Sequence, residues 1–244
     1  MSERIILTDL DKQIQEAVAD TRQRVAELHA ELPRWGLVVW TAGNVSERVV
    51  VDRGDGPVKT DLFVIKPSGV SYDELTADTM VVCTLDGEKI DDGTPASLTP
   101  SSDTAAHAYV YRHRGDVGGV VHTHSPYATA WAARREPIPC ALTMMGDEFG
   151  GDIPIGPFAL IGDDSIGRGI VETLEGSRSP AVLMANHGPF TVGKDARDAV
   201  KAAVMCEEVA RTMSIAEQLG EVKPIPADMV DRLNDRYQHV YGQH

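Results

Sequence analysis

The chain has 244 residues, with 23 Lys and Arg against 37 Asp and Glu, so its formal net charge is −14. A surface that acidic repels a phosphate backbone and an anionic bilayer, which excludes nucleic acid and membrane as partners of the chain as a whole. Hydrophobic residues at 42% and charged residues at 25% describe a soluble globular chain with apolar material for a sizeable core, and exclude disorder.

Residues 9–31 predict an opening helix, with Ile14, Val18, Val25 and Leu28 near one face and Pro33 closing the pattern. Trp35 to Trp40 is apolar and β-branched and predicts a strand that runs into a tight loop at Thr41-Ala42-Gly43-Asn44. Val49-Val50-Val51, Leu62 to Ile65 and Met80 to Leu85 read as further strands, the last followed by a hairpin turn at Asp86-Gly87. A helix follows from Ser102 to Tyr111 with Ser102 or Asp103 near its N-cap, then a short buried strand from Gly118 to His124. Pro126 suits the first position of the next helix. Ala181 to Met184 is the last strand expected, and helices over Lys194–Leu219 and Ala227–Tyr237 precede the tail Val240-Tyr241-Gly242-Gln243-His244. No linker or repeat divides the chain. The pattern predicts a single α/β domain over residues 1–244, with three α/β/α layers around a mixed, mostly antiparallel sheet.

The N-terminus has no uninterrupted apolar segment of the signal-peptide kind, and no run approaches about 18 apolar residues. Cys83, Cys140 and Cys206 lie too far apart for a thiolate zinc site or a disulfide framework. Free core thiols in a cytoplasmic protein are the expectation.

Three of the eight histidines carry chemical information. His122 and His124 are two residues apart on a strand, so both side chains project from one face. His187 stands at a strand end before Gly188-Pro189, a common position for a ligand. With Asp103 these residues make a set of three imidazoles and a carboxylate, which suits Zn²⁺, with Mn²⁺, Fe²⁺ or Co²⁺ allowed by ligand type. His29, His107, His113, His239 and His244 read as solvent-facing or capping residues. Three polar loops, around Gly43-Asn44, Lys66-Pro67-Ser68-Gly69 and Ser101-Ser102, carry the hydroxyls, amides and ammonium that a phosphate group needs. An acidic protein can therefore still hold a small anion locally.

Taken in order, Gly43-Asn44-Val45-Ser46, Lys66-Pro67-Ser68-Gly69-Val70, Pro100-Ser101-Ser102-Asp103-Thr104, Val121-His122-Thr123-His124-Ser125, His187-Gly188-Pro189-Phe190 and Tyr241-Gly242-Gln243 resemble the motifs of the class II aldolase/adducin family. The similarity runs from about residue 11 to 243, and within the family it is nearest to the epimerases of ketopentulose phosphates. The resemblance implies a class II aldolase-like fold and a divalent metal, usually zinc, on His122, His124 and His187 with Asp103 beside it. It implies substrate and phosphate contacts at Gly43, Asn44, Lys66, Ser68, Gly69, Ser101 and Ser102, and acid/base roles for Asp147 and Tyr241. A small sugar phosphate as substrate, a role in carbohydrate metabolism such as arabinose catabolism, and a homotetramer with active sites between subunits are implied in the same way. Asp103 stands where the family's aldolases carry Glu, which favours the epimerases.

The implied reaction interconverts L-ribulose 5-phosphate and D-xylulose 5-phosphate by breaking and re-forming the C3–C4 bond. The alternatives are a sugar-phosphate aldolase of the fuculose- or rhamnulose-phosphate type and a non-catalytic adducin-like binding domain. Two departures stand out. The family's epimerases carry a His two residues before the catalytic Asp, where this chain has Met145, and an aromatic segment after it, where this chain has Glu148-Phe149-Gly150-Gly151. Both are expected near the distal end of the substrate.

Overall fold

The computed structural model describes residues 4–240, so Tyr241 lies outside the described residues. Leu62 and Val64 pack with Val18 and Val25, whereas Phe63 and Ile65 pack with Tyr111, Val120 and Ile170. One strand thus feeds two cores, the alternation of a sheet buried on both faces. The same division separates Met80 and Val82 from Val81 and Cys83, and Ala181 and Leu183 from Val182 and Met184.

The strands are β1 (Asn44–Asp52), β2 (Pro57–Ile65), β3 (Val81–Thr84), β4 (Gly119–His122), β5 (Ile155–Gly156), β6 (Ala181–Met184) and β7 (Gly188–Gly193). They form one seven-stranded sheet in the order β3-β2-β1-β4-β7-β6-β5. Every pairing is antiparallel except that of β5 with β6. The helices are α1 (Lys12–His29), α2 (Glu31–Arg34), α3 (Thr104–His113), α4 (Pro126–Arg134), α5 (Thr143–Phe149), α6 (Ser165–Leu174), α7 (Ala196–Leu219) and α8 (Ala227–His239). Helices α3 and α6 cover one face of the sheet, and α1, α4 and α7 the other, with α5 and α8 packed beyond α4 and α7. The expected three layers and mixed, mostly antiparallel sheet are therefore present. The three cysteines are buried and free. Among the described residues no helix is long and apolar enough to cross a membrane.

Buried polar groups tie the elements that later carry the site. Glu47 on β1 pairs with Arg24 of α1 and accepts the Ala196 N–H at the start of α7. The carboxylate of Glu207 on α7 accepts the N–H groups of Tyr127 and Ala128, which open α4 directly after Pro126.

The segment from Trp35 to Trp40 is not a strand. Leu37 enters the core, but Trp35, Val39 and Trp40 are exposed, and Trp40, 83% exposed, has a φ of 58°, a conformation a bulky side chain rarely adopts. The apolar composition imitated a buried strand where no neighbouring strand is available. Conversely, Asn44 to Ser46, read as loop, are the first residues of β1, paired with His122, Val121 and Val120 of β4.

Candidate active site

The meeting of β1 and β4 sets the position of the histidines. Gly43 has a φ of 78°, and a Cβ there would lie 2.9 Å from the His122 carbonyl oxygen, so only glycine admits the chain to β1 at this point. Asn44 and His122 then sit opposite each other in the ladder. His122 is the last residue of β4, its ring stacked on Phe190 of β7 at 4.1 Å, and its Nδ1–H donates to the Pro189 carbonyl at 3.0 Å. That bond fixes the tautomer and leaves Nε2 with a free lone pair. His187 stands in the turn between β6 and β7, behind Asn186, whose φ is 57°.

The three imidazoles converge. His122 Nε2 and His124 Nε2 are 2.8 Å apart, and one ring nitrogen from each of His122, His124 and His187 lies within 4.8 Å of the others. Burial pushes His122 down to about 3 and His187 below its ordinary value, so both are neutral, the form that can ligate a cation. Asp103 is buried at the start of α3. Burial alone would raise its carboxyl, but His122, His107 and His187 and the bond from Asn44 outweigh that, and it stays below the usual carboxylate range. Its Oδ2 accepts from Asn44 Nδ2 at 2.8 Å. Asp103 Oδ1, Asn44 Oδ1 and His187 Nε2 are buried with no hydrogen-bond partner. Orphaned buried acceptors are costly, and three of them beside converging imidazoles fit a bound divalent cation.

The polar loops meet at the same place. Gly43, Asn44, Lys66, Ser68, Gly69, Ser101, Ser102, Asp103, His122, His124 and His187 all line one cavity, together with Thr41, Ala42, Pro67 and Ile161. The amides of Ser68 and Ser101 do not face a ligand as loop geometry had suggested. They bond the Thr99 and Lys66 carbonyls and lace the two loops together. Ser101 Oγ accepts from Asn44 Nδ2 and from the Asp103 amide, which leaves its own proton to donate. Lys66 is 2% exposed, and its ammonium donates to the carbonyls of Thr41 and Pro67, each at 3.2 Å. Burial brings it down to about 8, so it still carries positive charge at neutral pH.

Two residues the sequence reading did not select hold this cradle. The Tyr72 hydroxyl bonds the carbonyls of Ala42 and Gly43, at 2.8 and 3.1 Å. His29 is not a solvent or capping residue: it is buried, its Nδ1–H donates to the Val25 carbonyl, and its Nε2 accepts the Val45 amide at 3.0 Å. The signal was available, because His29 lies one helical turn after Val25 on the face that Val18 also occupies. His107 is likewise buried, bonded to Ser46 Oγ at 2.7 Å.

A pH dependence follows from His29. Burial lowers it from 6.5 to about 3, so the folded chain refuses a proton that the unfolded chain accepts below pH 6.5. Stability is complete above that pH and falls as pH drops towards 3, by about 2 kcal/mol at pH 5 from this residue alone. The urea midpoint should fall between pH 7 and pH 5, and His29→Gln, whose amide can make both bonds, should flatten that fall. An unchanged slope in the variant would refute the assignment.

Asp147 is not brought to this cavity within the described protomer. Asp147 lies on α5, outside the cavity wall, with its carbonyl accepting from Asn234 of α8 at 3.1 Å. Burial and the neighbouring Glu148 charge raise its carboxyl, against the pull of Arg236. Tyr241 falls outside the described residues. Met145 and Glu148 do not line this cavity of the protomer either. Met145 is fully buried among Trp131, Cys140 and Phe149, and Glu148 faces α7 and α8.

Comparisons with known proteins agree with this picture. The family described as class II aldolase and adducin N-terminal domain matches residues 23–214. The chain is 44% identical over 212 residues to L-ribulose-5-phosphate 4-epimerase UlaF of Salmonella paratyphi C (strain RKS4594), covering 82% of this chain and 86% of that one. Among solved structures, an L-fuculose 1-phosphate aldolase superposes with a TM-score of 0.79 at 26% identity, over 90% of this chain and 96% of the other. YgbL of Klebsiella pneumoniae superposes with a TM-score of 0.72 at 29% identity, over 89% and 99%.

Proposed function

The chain belongs to the class II aldolase and adducin family, and from that premise we propose that it is a divalent-metal-dependent 4-epimerase interconverting L-ribulose 5-phosphate and D-xylulose 5-phosphate. The observation that carries this reading is the convergence of His122, His124, His187 and Asp103 with a Ser and Lys cradle in one cavity. The identity to a relative named for that reaction supports the choice of substrate. Three imidazoles and a carboxylate fit Zn²⁺ first, with Mn²⁺ or Co²⁺ sharing the preference. When bound, such a cation supplies a Lewis acid for the charge that develops on the substrate oxygens.

The C4 hydrogen is not α to the C2 ketone, so simple deprotonation cannot invert C4. The C3–C4 bond can break, because its electrons flow into the C2 carbonyl. One acid/base group takes the proton from the C4 hydroxyl as that oxygen becomes an aldehyde, leaving the dihydroxyacetone enediolate and glycolaldehyde phosphate. The aldehyde turns over its other face, the bond re-forms, and the second group returns a proton to the C4 oxygen. Asp147 and Tyr241 serve the two faces, a phenol being suited to protonate an alkoxide. Ser68, Ser101, Ser102 and Lys66 hold the phosphate, Gly43 and Gly69 give it close access to the backbone, and Asn44 orients Asp103.

The place of Asp147 outside the cavity wall supports a homotetramer with active sites between subunits, in which the acid/base pair of one subunit serves a neighbour's cavity. The segments that bring Thr41 and Ile161 to the cavity also expose Trp35, Val39 and Trp40, and Phe158 and Leu160, apolar surface of the kind a subunit contact covers. A monomer with full activity by light scattering would contradict this. A cytoplasmic place in carbohydrate metabolism accords with the substrate.

Incubating metal-loaded protein with L-ribulose 5-phosphate should yield D-xylulose 5-phosphate by NMR. Accumulation of glycolaldehyde phosphate and dihydroxyacetone would instead favour the second reading, an aldolase, which the likeness to L-fuculose 1-phosphate aldolase supports.

A further inference from the structure

The departure at Glu148 has its own structural logic. This carboxylate is 8% exposed, where α5, α7 and α8 meet. Its Oε2 accepts from the Tyr237 hydroxyl of α8 at 2.9 Å and pairs with Lys201 Nζ of α7, also at 2.9 Å. Lys201 Nζ lies 5.1 Å from the Tyr237 ring centroid, so the ammonium faces both the carboxylate and the aromatic ring.

A buried carboxylate needs such partners to remain charged. The rest of the seam is fitted around it. A Cβ at Gly146 would lie 2.7 Å from a Leu233 side-chain carbon, so glycine there lets α8 close onto α5. Asn234 reaches the Asp147 carbonyl from the same helix. The seam thus joins the residue next to Asp147 with the residue four positions before Tyr241.

We propose that Glu148, Lys201 and Tyr237 form a positioning cluster that fixes α8, the helix that precedes Tyr241 in the chain, against α5, which bears Asp147. Glu148 touches no substrate on this account; it acts through its neighbours. The inference rests on the assignment of Asp147 and Tyr241 as the acid/base pair. Misplacing such groups by about 1 Å can cost about 10²-fold in rate. Re-addition is the step most exposed to that loss, since the aldehyde must be met by a correctly placed acid on its second face before it escapes.

The test uses the full chain loaded with zinc, and Glu148→Gln, Lys201→Met and Tyr237→Phe. Each should lower kcat between about 10- and 10²-fold with KM within about twofold, and release glycolaldehyde phosphate that the unsubstituted protein retains. Lys201→Met leaves the buried carboxylate short of a partner and should lower the melting temperature, whereas Tyr237→Phe should keep it close to the parent's, and kcat is compared at a temperature where every variant is folded. Arg178→Gln, which breaks the exposed Arg178–Asp231 pair elsewhere on α8, should leave kcat and retention unchanged. Should Glu148→Gln fail to fold, Tyr237→Phe removes the hydroxyl, keeps the ring and decides the matter.

Full kcat in the three variants, or losses that merely follow the folded fraction, would overturn the positioning role. If those variants keep kcat while Asp147→Asn and Tyr241→Phe lose it, the positioning role alone fails. If Asp147→Asn and Tyr241→Phe keep wild-type rates, the assignment beneath it fails as well.

Discussion

His124→Ala is expected to lower turnover at least about 10³-fold while leaving the melting temperature of the metal-free protein nearly unchanged. The magnitude reflects the several kcal/mol of charge stabilisation that a bound cation contributes to such a reaction. The choice of residue matters. His122 is stacked on Phe190 and bonded to the Pro189 carbonyl, so replacing it also opens the core between β4 and β7. His124 is exposed, and its ring meets His122 and His187 at the edge of the cluster. Removing it tests ligation with little structural confusion. Metal content by mass spectrometry should fall in parallel with activity, and a chelator should reproduce the loss reversibly. Full activity with no bound metal would refute the role of the histidine cluster.

Asp147→Asn and Tyr241→Phe should each cut epimerisation at least about 10²-fold, the usual scale for loss of a general acid or base. Both substitutions conserve shape. Asp147 contributes its backbone carbonyl to the bond from Asn234, which Asn preserves, so the seam between α5 and α8 should survive. The effect should appear in kcat, because neither group belongs to the phosphate cradle. Mixing either of these variants with His124→Ala supplies a check on the subunit arrangement. If each active site draws on two chains, and different chains carry the intact groups, a fraction of mixed assemblies should regain activity. A near-wild-type rate for either single variant would remove that residue from the mechanism.

Residues with a periodic or chemical signature were legible in the chain. His122 and His124 bring their ring nitrogens to 2.8 Å of each other, although β4 ends at His122 and His124 lies just beyond the expected strand, and His187 stood at the strand end where Gly188-Pro189 suggested a turn. The hairpin at Asp86-Gly87 is present, with Gly87 at a φ of 84°. Residues whose role depends on distant partners were not legible. The Trp35–Trp40 segment has strand composition, but exposure to solvent is decided by the absence of a neighbour, which no local pattern encodes. Asn44 carried turn chemistry, yet the β4 ladder captured it as strand. Tyr72, 28 residues beyond Asn44 in the chain, gives no local sign that it holds the Ala42 and Gly43 carbonyls. Glu148 reads as a departure near the substrate until Lys201 and Tyr237 are seen around it. The net charge of −14 likewise said little about substrate, since the cavity presents Lys66 and hydroxyls on a scale far smaller than the whole surface.

The account turns on carbon–carbon cleavage at a metal-dependent site, and one measurement reaches it directly. Zinc-loaded protein is incubated with L-ribulose 5-phosphate in D₂O, and the product is followed by proton and carbon NMR. Cleavage and re-addition carry the C4 hydrogen through on the aldehyde, so D-xylulose 5-phosphate should form with protium retained at C4. Deuterium at C4, or no D-xylulose 5-phosphate at all, would contradict it.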